Sequence, residues 1–244
     1  MEYWESLCPG GLRFVYDDAL FRPGTDTFLL SSLPRLKPGL RIMDLGCGTG
    51  LLALLLLQRQ RTLQVTGVDI QPRAVHLAMR AAAENALQDC LTFRTADLRK
   101  VSTLFPTGSF DLVVCNPPYY PPGSGALAPD EPRRTARAEV ECTLEDVCRA
   151  AAYLLRWGGR LCLVHKPERL ADLLAAMRSH AIEPKRLRFV QPRSDRAPSL
   201  VLVEGTRGGK PGLSVEAPLL LQNPDGSPTA ELNNIYFRPQ EDTP

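Results

Sequence analysis

The chain has 244 residues, 44% of them hydrophobic and 23% charged, with a formal net charge of +2. That composition excludes a fibre or a disordered chain as the main body, and the length allows one generous domain with small additions. The near-neutral balance announces no polyanion partner, so a basic face would have to be a local cluster.

In chain order, residues 1–38 form an N-terminal extension. Its first residues, Met1-Glu2-Tyr3-Trp4-Glu5, carry neither the basic nor the apolar region of a secretory signal, which points to the cytoplasm. Arg41-Ile42-Met43-Asp44 reads as a short strand, followed by a glycine-rich turn and an Ala/Leu helix over 51–59. That apolar run is far shorter than the ~20 residues that cross a bilayer. A β-branched strand over 64–70 leads into a helix over 72–85, with Pro72 at its first turn. Short strands are expected over 91–94 and 110–115. The second is apolar on both faces and therefore central. A helix over 144–155 closes on a Gly158-Gly159 turn. Then come a strand over 160–165, a helix over 168–180, and strands over 186–190 and 199–204.

Alternating strands and helices with short connections predict an α/β fold with a mostly parallel sheet and helices on both faces. The core is placed at 39–205. Residues 206–244 read as a tail in which 223–227 turns between two short strands, a short hairpin by its turn residues. Residues 120–132, rich in Pro and Gly, form a long irregular loop expected to be mobile without substrate. Seven cysteines (8, 47, 90, 115, 142, 148 and 162) show no C-x-x-C spacing, and the three histidines lie far apart. Reduced thiols are expected, with no metal site.

Asp44-Leu45-Gly46-Cys47-Gly48-Thr49-Gly50 follows a strand and opens a helix. Glycines let the backbone approach a ligand, and the helix N-terminus offers N–H groups. The G-x-G-x-G spacing is one residue short of the dinucleotide fingerprint G-x-G-x-x-G. It resembles motif I of the S-adenosylmethionine (SAM) methyltransferases, in which the loop wraps the amino-acid part of SAM. Asp69, at the end of the next strand, has the position of a carboxylate that accepts from a ribose diol, with Ile70 beside it. In the same resemblance, Asp97 and Leu98 read the adenine ring.

Asn116-Pro117-Pro118-Tyr119 comes directly after the central strand. It matches the motif of enzymes that methylate planar amino nitrogens. Such an amine is a poor nucleophile because its lone pair is delocalised into the ring. The Asn116 side-chain oxygen and the Pro117 carbonyl can each accept one N–H, which favours a pyramidal nitrogen aimed at the SAM methyl. Two prolines stiffen the loop, and Tyr119 offers a face on which a flipped base can stack.

Nearly the whole chain resembles the bacterial valine-tRNA adenine N6 methyltransferases and their uncharacterised relatives. Beyond the motifs above, the resemblance is carried by 21–26 with Gly24-Thr25-Asp26, by 136–139, by the Trp157-Gly158-Gly159 turn, and by 200–204 with 208–210. It implies a Rossmann-like SAM-dependent methyltransferase fold whose last strand runs antiparallel. It also implies that Thr25 and Asp26 help close the SAM pocket, and that the reaction is transfer of a methyl group to N6 of adenine in RNA, with tRNA as the leading acceptor; a monomer is expected. Residues 227–231 depart from the family pattern and bear on the substrate more than on the reaction.

Over 185–210 stand seven cations (Lys185, Arg186, Arg188, Arg193, Arg196, Arg207, Lys210) against Asp195 and Glu204, and Arg133, Arg134 and Arg137 follow the N-P-P-Y loop. Together they predict a phosphate-tracking patch. Tyr119, Tyr120, Arg137, Arg193 and Arg196 are the candidate substrate contacts. Three other readings stay open. The acceptor could be a release-factor glutamine amide, although those enzymes resemble a chain with an added N-terminal helical domain. It could be another nucleobase amine, in DNA or ribosomal RNA. The protein could also be a non-enzymatic RNA-binding protein on the same fold, although its site residues are all of suitable types. A nicotinamide oxidoreductase gives N-P-P-Y no role.

Overall fold

The computed structural model describes residues 1–18, 20, 24–117 and 142–238. The 120–132 loop lies outside the described residues. The chain opens with a hairpin of β1 (Glu2–Ser6) and β2 (Arg13–Asp17), which the amino-acid pattern did not announce. β1 sets the aromatic pair Tyr3-Trp4 between Glu2 and Glu5 and is largely exposed. Its hold comes from side chains: Tyr3 stacks on Tyr16 at 5.4 Å, and the Trp4 ring lies under the guanidiniums of Arg13 and Arg80. Buried Asp17 takes a hydrogen bond from Arg73 Nε at 3.0 Å.

Helix α1 (Thr25–Ser32) follows, then the core: β3 (Arg41–Leu45), α2 (Leu51–Arg59), β4 (Gln64–Asp69), α3 (Pro72–Glu84), β5 (Leu91–Thr95), β6 (Phe110–Cys115), α4 (Leu144–Leu154), β7 (Leu155–His165), α5 (Leu170–Ser179), β8 (Ile182–Gln191) and β9 (Leu200–Arg207). The tail adds β10 (Ser214–Val215), β11 (Leu219–Leu220) and α6 (Ala230–Ile235). Among the described residues the main sheet has nine strands, in the order β10-β8-β9-β7-β6-β3-β4-β5, with β11 also on β8. Strands β3 to β7 pair in parallel, and β9 runs antiparallel to both β7 and β8. This is the Rossmann-like arrangement expected from the sequence. The antiparallel strand is the last long one, and the two short strands after it lie parallel to β8.

Alternation along the strands sorts the core into two layers. Ile42, Leu112 and Val114 face the layer that contains α1, α2, α3 and the N-terminal hairpin. Met43, Leu45, Val113 and Cys115 face the layer of α4 and α5. Helix α2 is buried on every side from Leu51 to Leu57, because the sheet, α1 and α3 leave it no solvent face.

Two local expectations are corrected. The helix over 144–155 does not end on a glycine cap, since α4 passes straight into β7 at Leu155. Gly158-Gly159 sits in an irregularity where Phe110 pairs with Leu155 but Leu112 pairs with Arg160. A Cβ on Gly159 would lie 2.8 Å from the Arg156 carbonyl, so the pair makes room for a bulge. In the tail, the 223–227 turn forms, with Asn223 N–H donating to Ser227 O at 2.8 Å. In place of a two-strand hairpin it closes a single bridge, Gln222–Pro228, while β11 pairs with β8.

Candidate functional site

The parallel strands β3 to β7 end on one edge, where open α/β sheets bind ligands. At the end of β3 the turn places Gly46, Gly48 and Gly50 at φ +72, +52 and +81. A Cβ on Gly46 or Gly48 would meet nothing within 4 Å, so these two positions leave open space beside the backbone. A Cβ on Gly50 would lie 2.6 Å from Phe93 Cζ, so the third glycine serves the packing of α2 against β5.

Asp44 points to the α1 side of β3 and is 1% exposed. Its Oδ2 has no hydrogen-bond partner among the described residues. Burial, with the nearby Asp69 carboxylate adding to it, pushes its pKa up to about 8. A buried carboxyl with one oxygen left without a partner at this position fits a ligand ammonium. Cys47 is buried beside it, and burial holds its thiol neutral.

Asp69 ties the turn to the end of β4. Its Oδ2 accepts from Gly48 N–H at 2.8 Å and its Oδ1 from Gln71 N–H at 2.9 Å. Burial raises its pKa against these hydrogen bonds. Carboxylate oxygens with further lone pairs at a strand end fit a ribose diol. Ile70, next in sequence, is 36% exposed and leaves an apolar surface at the strand end.

Asp97 caps a 3-10 turn over Leu98–Thr103 and is gripped by Arg99, whose Nε lies 3.0 Å and Nη2 2.7 Å from Oδ2. The hydrogen bonds from Arg99 hold its carboxyl below the usual range. A purine amine at Asp97 would therefore share the carboxylate with Arg99, a partner the motif did not reveal. Leu98 packs partly into the α4–α5 layer.

Asn116 follows β6, and its Nδ2 donates to Thr27 Oγ1 in α1 at 3.2 Å. Pro117 is buried. Thr25 and Asp26 form the first turn of α1, where Asp26 Oδ1 accepts from Thr27 N–H at 2.9 Å. These contacts bring Asn116 and the α1 cap together, while Asp44, Gly46, Gly48, Gly50, Asp69 and Asp97 lie at the ends of the neighbouring strands. Pro118, Tyr119, Tyr120 and Arg137 lie outside the described residues, as do Arg133 and Arg134. Residues Thr27 and Asn116 are 89 apart in the chain, and no sequence pattern joins them.

The expected basic patch is corrected. Because β9 reverses, His165 at the end of β7 pairs with Val201 at the start of β9. The β8–β9 connection, with Arg193 and Arg196, therefore sits on the ligand edge. Arg193 is bound to Asp195 at 3.1 Å, and Arg196 lies 3.9 Å from the same carboxylate. Arg207 and Lys210 belong to the opposite edge, where Lys185 donates to Lys210 O and Arg207 to Leu155 O. Arg186 is held between Glu204 and Glu216, and Arg188 by Glu231. Most of the seven cations thus pin the sheet and the tail rather than forming one face.

Among the described residues no group of three or more His, Cys, Asp or Glu is placed to hold a metal, and no helix is long and apolar enough to cross a membrane.

The model of the methyltransferase small domain family matches residues 15–180. A tRNA1(Val) (adenine(37)-N6)-methyltransferase of Porphyromonas gingivalis is 34% identical over 79% of this chain and 78% of its own length. One from Tolumonas auensis is 32% identical over 94% and 98%. Among solved structures, a predicted O-methyltransferase from Agrobacterium tumefaciens superposes with a TM-score of 0.71 at 24% identity, over 89% of this chain and 100% of that one. A geranyl diphosphate methyltransferase in complex with SAM gives 0.57 at 19%, over 75% and 84%. These structural likenesses concern the fold.

Proposed function

Because this chain belongs to the methyltransferase small domain family and is a SAM-dependent methyltransferase, we propose that its acceptor is the N6 amine of an adenine in tRNA. The observation that carries the reading is the placement of Asn116-Pro117 beside the glycine turn, Asp44 and Asp69, on one edge of the sheet. Curated relatives that match over most of this chain bear the name of tRNA adenine N6 methyltransferases, which supports the same acceptor.

SAM bound there supplies a methyl group activated on a sulfonium. The chain's own residues do the rest. Asp44 would hold the ammonium of the cofactor's amino-acid part, the backbone of Gly46 and Gly48 would line that part, and Asp69 would accept from the ribose hydroxyls. Asn116 and the Pro117 carbonyl accept the two N–H groups of the acceptor amine, which concentrates its lone pair toward the methyl. Holding the two reactants in line supplies much of the acceleration. The proton leaves the methylated, acidic ammonium for water, so no strong base is required. Tyr119 stacks on the flipped base, Tyr120 and Arg137 contact its neighbours, and Arg193 and Arg196 meet phosphates. The enzyme works as a monomer in the cytoplasm, without a metal.

The test uses SAM labelled in its methyl group, offered separately to tRNA, ribosomal RNA, DNA and a protein extract. Label is expected in tRNA. Label in protein alone would overturn the acceptor and favour a glutamine amide.

A further inference from the structure

We infer that Thr27 is a positioning residue for the Asn116 amide. A side-chain amide has a donor end and an acceptor end of nearly the same shape. Only one orientation turns the oxygen to an incoming amine. The reversed one would set N–H against N–H. Asn116 Nδ2 donates to Thr27 Oγ1 at 3.2 Å, which turns the oxygen to the other side of the amide. The threonine hydroxyl accepts that N–H on an oxygen lone pair.

Thr27 is well fixed for this task. It is 8% exposed, and its N–H is taken by Gly24 O at 3.2 Å and Asp26 Oδ1 at 2.9 Å. Helix α1 is anchored through fully buried Leu29 and Leu30, and Phe28 stacks on Tyr236 at 4.3 Å. Beyond the helix, Arg186 donates to Leu33 O and Arg160 to Arg35 O. Both arginines also grip buried Glu204 in β9, so the sheet and α1 share one ionic clamp. The hydroxyl is thereby held against β6 from outside the strand. Thr27 acts through Asn116, a premise shared with the proposed function.

The test compares Thr27→Val, Thr27→Ala and Thr27→Ser with wild type, on whichever macromolecule the wild type labels. Failure of the tRNA reading therefore leaves this test intact. Thr27→Val keeps the shape and loses the hydroxyl. Its kcat should fall between about 10- and 100-fold, with KM for the acceptor and Kd for SAM within about twofold of wild type. Thr27→Ser should restore kcat to within about threefold of wild type. If the valine variant fails to fold, the alanine variant must show the same loss confined to kcat. A wild-type kcat without the hydroxyl would overturn the inference. So would a loss shared equally by SAM binding, or a serine variant no better than valine.

Discussion

Asp44 sits in the least water-like surroundings of any carboxyl at the site, and this has two consequences that can be measured. With its pKa near 8, it is largely protonated at neutral pH in the cofactor-free protein. The ammonium of SAM favours the carboxylate, so binding should expel a proton, and affinity should rise as the pH is raised from 6 toward 8. Calorimetric titration in two buffers of different ionisation enthalpy reads that proton. The folded pKa also lies above the unfolded value of 3.8. Between these values the folded chain holds a proton that the unfolded chain has lost, so stability without cofactor should fall as pH rises through this window. Asp44→Asn should flatten that slope and weaken SAM binding together. An unchanged slope with unchanged affinity would contradict the assignment. Asp44 was legible in the sequence because the turn after it is a spaced motif. Thr27 and Arg99 were not, because each matters only through a partner that folding supplies.

The β3–α2 turn separates two uses of glycine that look alike in sequence. At Gly48 an added methyl meets nothing within 4 Å, whereas at Gly50 it meets Phe93 and Ala78. Gly50→Ala should therefore cost about 2 kcal/mol or more of stability, from a left-handed backbone and from overpacking. Gly48→Ala should cost less stability and more SAM affinity. Urea unfolding beside a SAM binding curve distinguishes them, and a Gly50→Ala protein as stable as wild type would refute the packing role. The same contrast explains which elements were readable. Strands β6 and β9 hold continuous apolar runs over 112–115 and 200–203, β4 is β-branched, and α3 carries strong helix formers. The β1–β2 hairpin escaped notice because Glu2–Ser6 shows no apolar face. Its order depends on Trp4 under Arg13 and Arg80, and on Asp17 with Arg73, contacts that reach across the fold. Gly158-Gly159 was misplaced because the same two residues serve a helix cap and a strand bulge.

On the scale of the whole molecule, one edge of one sheet gathers the chemistry. The motifs lie far apart in the chain, and the parallel ordering of β3 to β7 brings their ends together. This much was legible in the sequence, since a strand-turn-helix rhythm fixes which ends collect. The distribution of charge was not. A run of cations over 185–210 reads as one face, but the antiparallel step at β9 sends Arg193 and Arg196 to the ligand edge and Arg207 and Lys210 to the other. The net +2 is thus an average over an interior held by Arg–Glu pairs and a ligand edge with a few arginines. The central claim is that Asn116 activates an adenine amine beside bound SAM. It is tested most directly by measuring, for wild type and Asn116→Ala, both SAM affinity and the N6-methyladenosine recovered from digested tRNA. The variant should bind SAM as wild type does and form no N6-methyladenosine above background. Full methylation by the variant, or loss of SAM binding in step with activity, would contradict it.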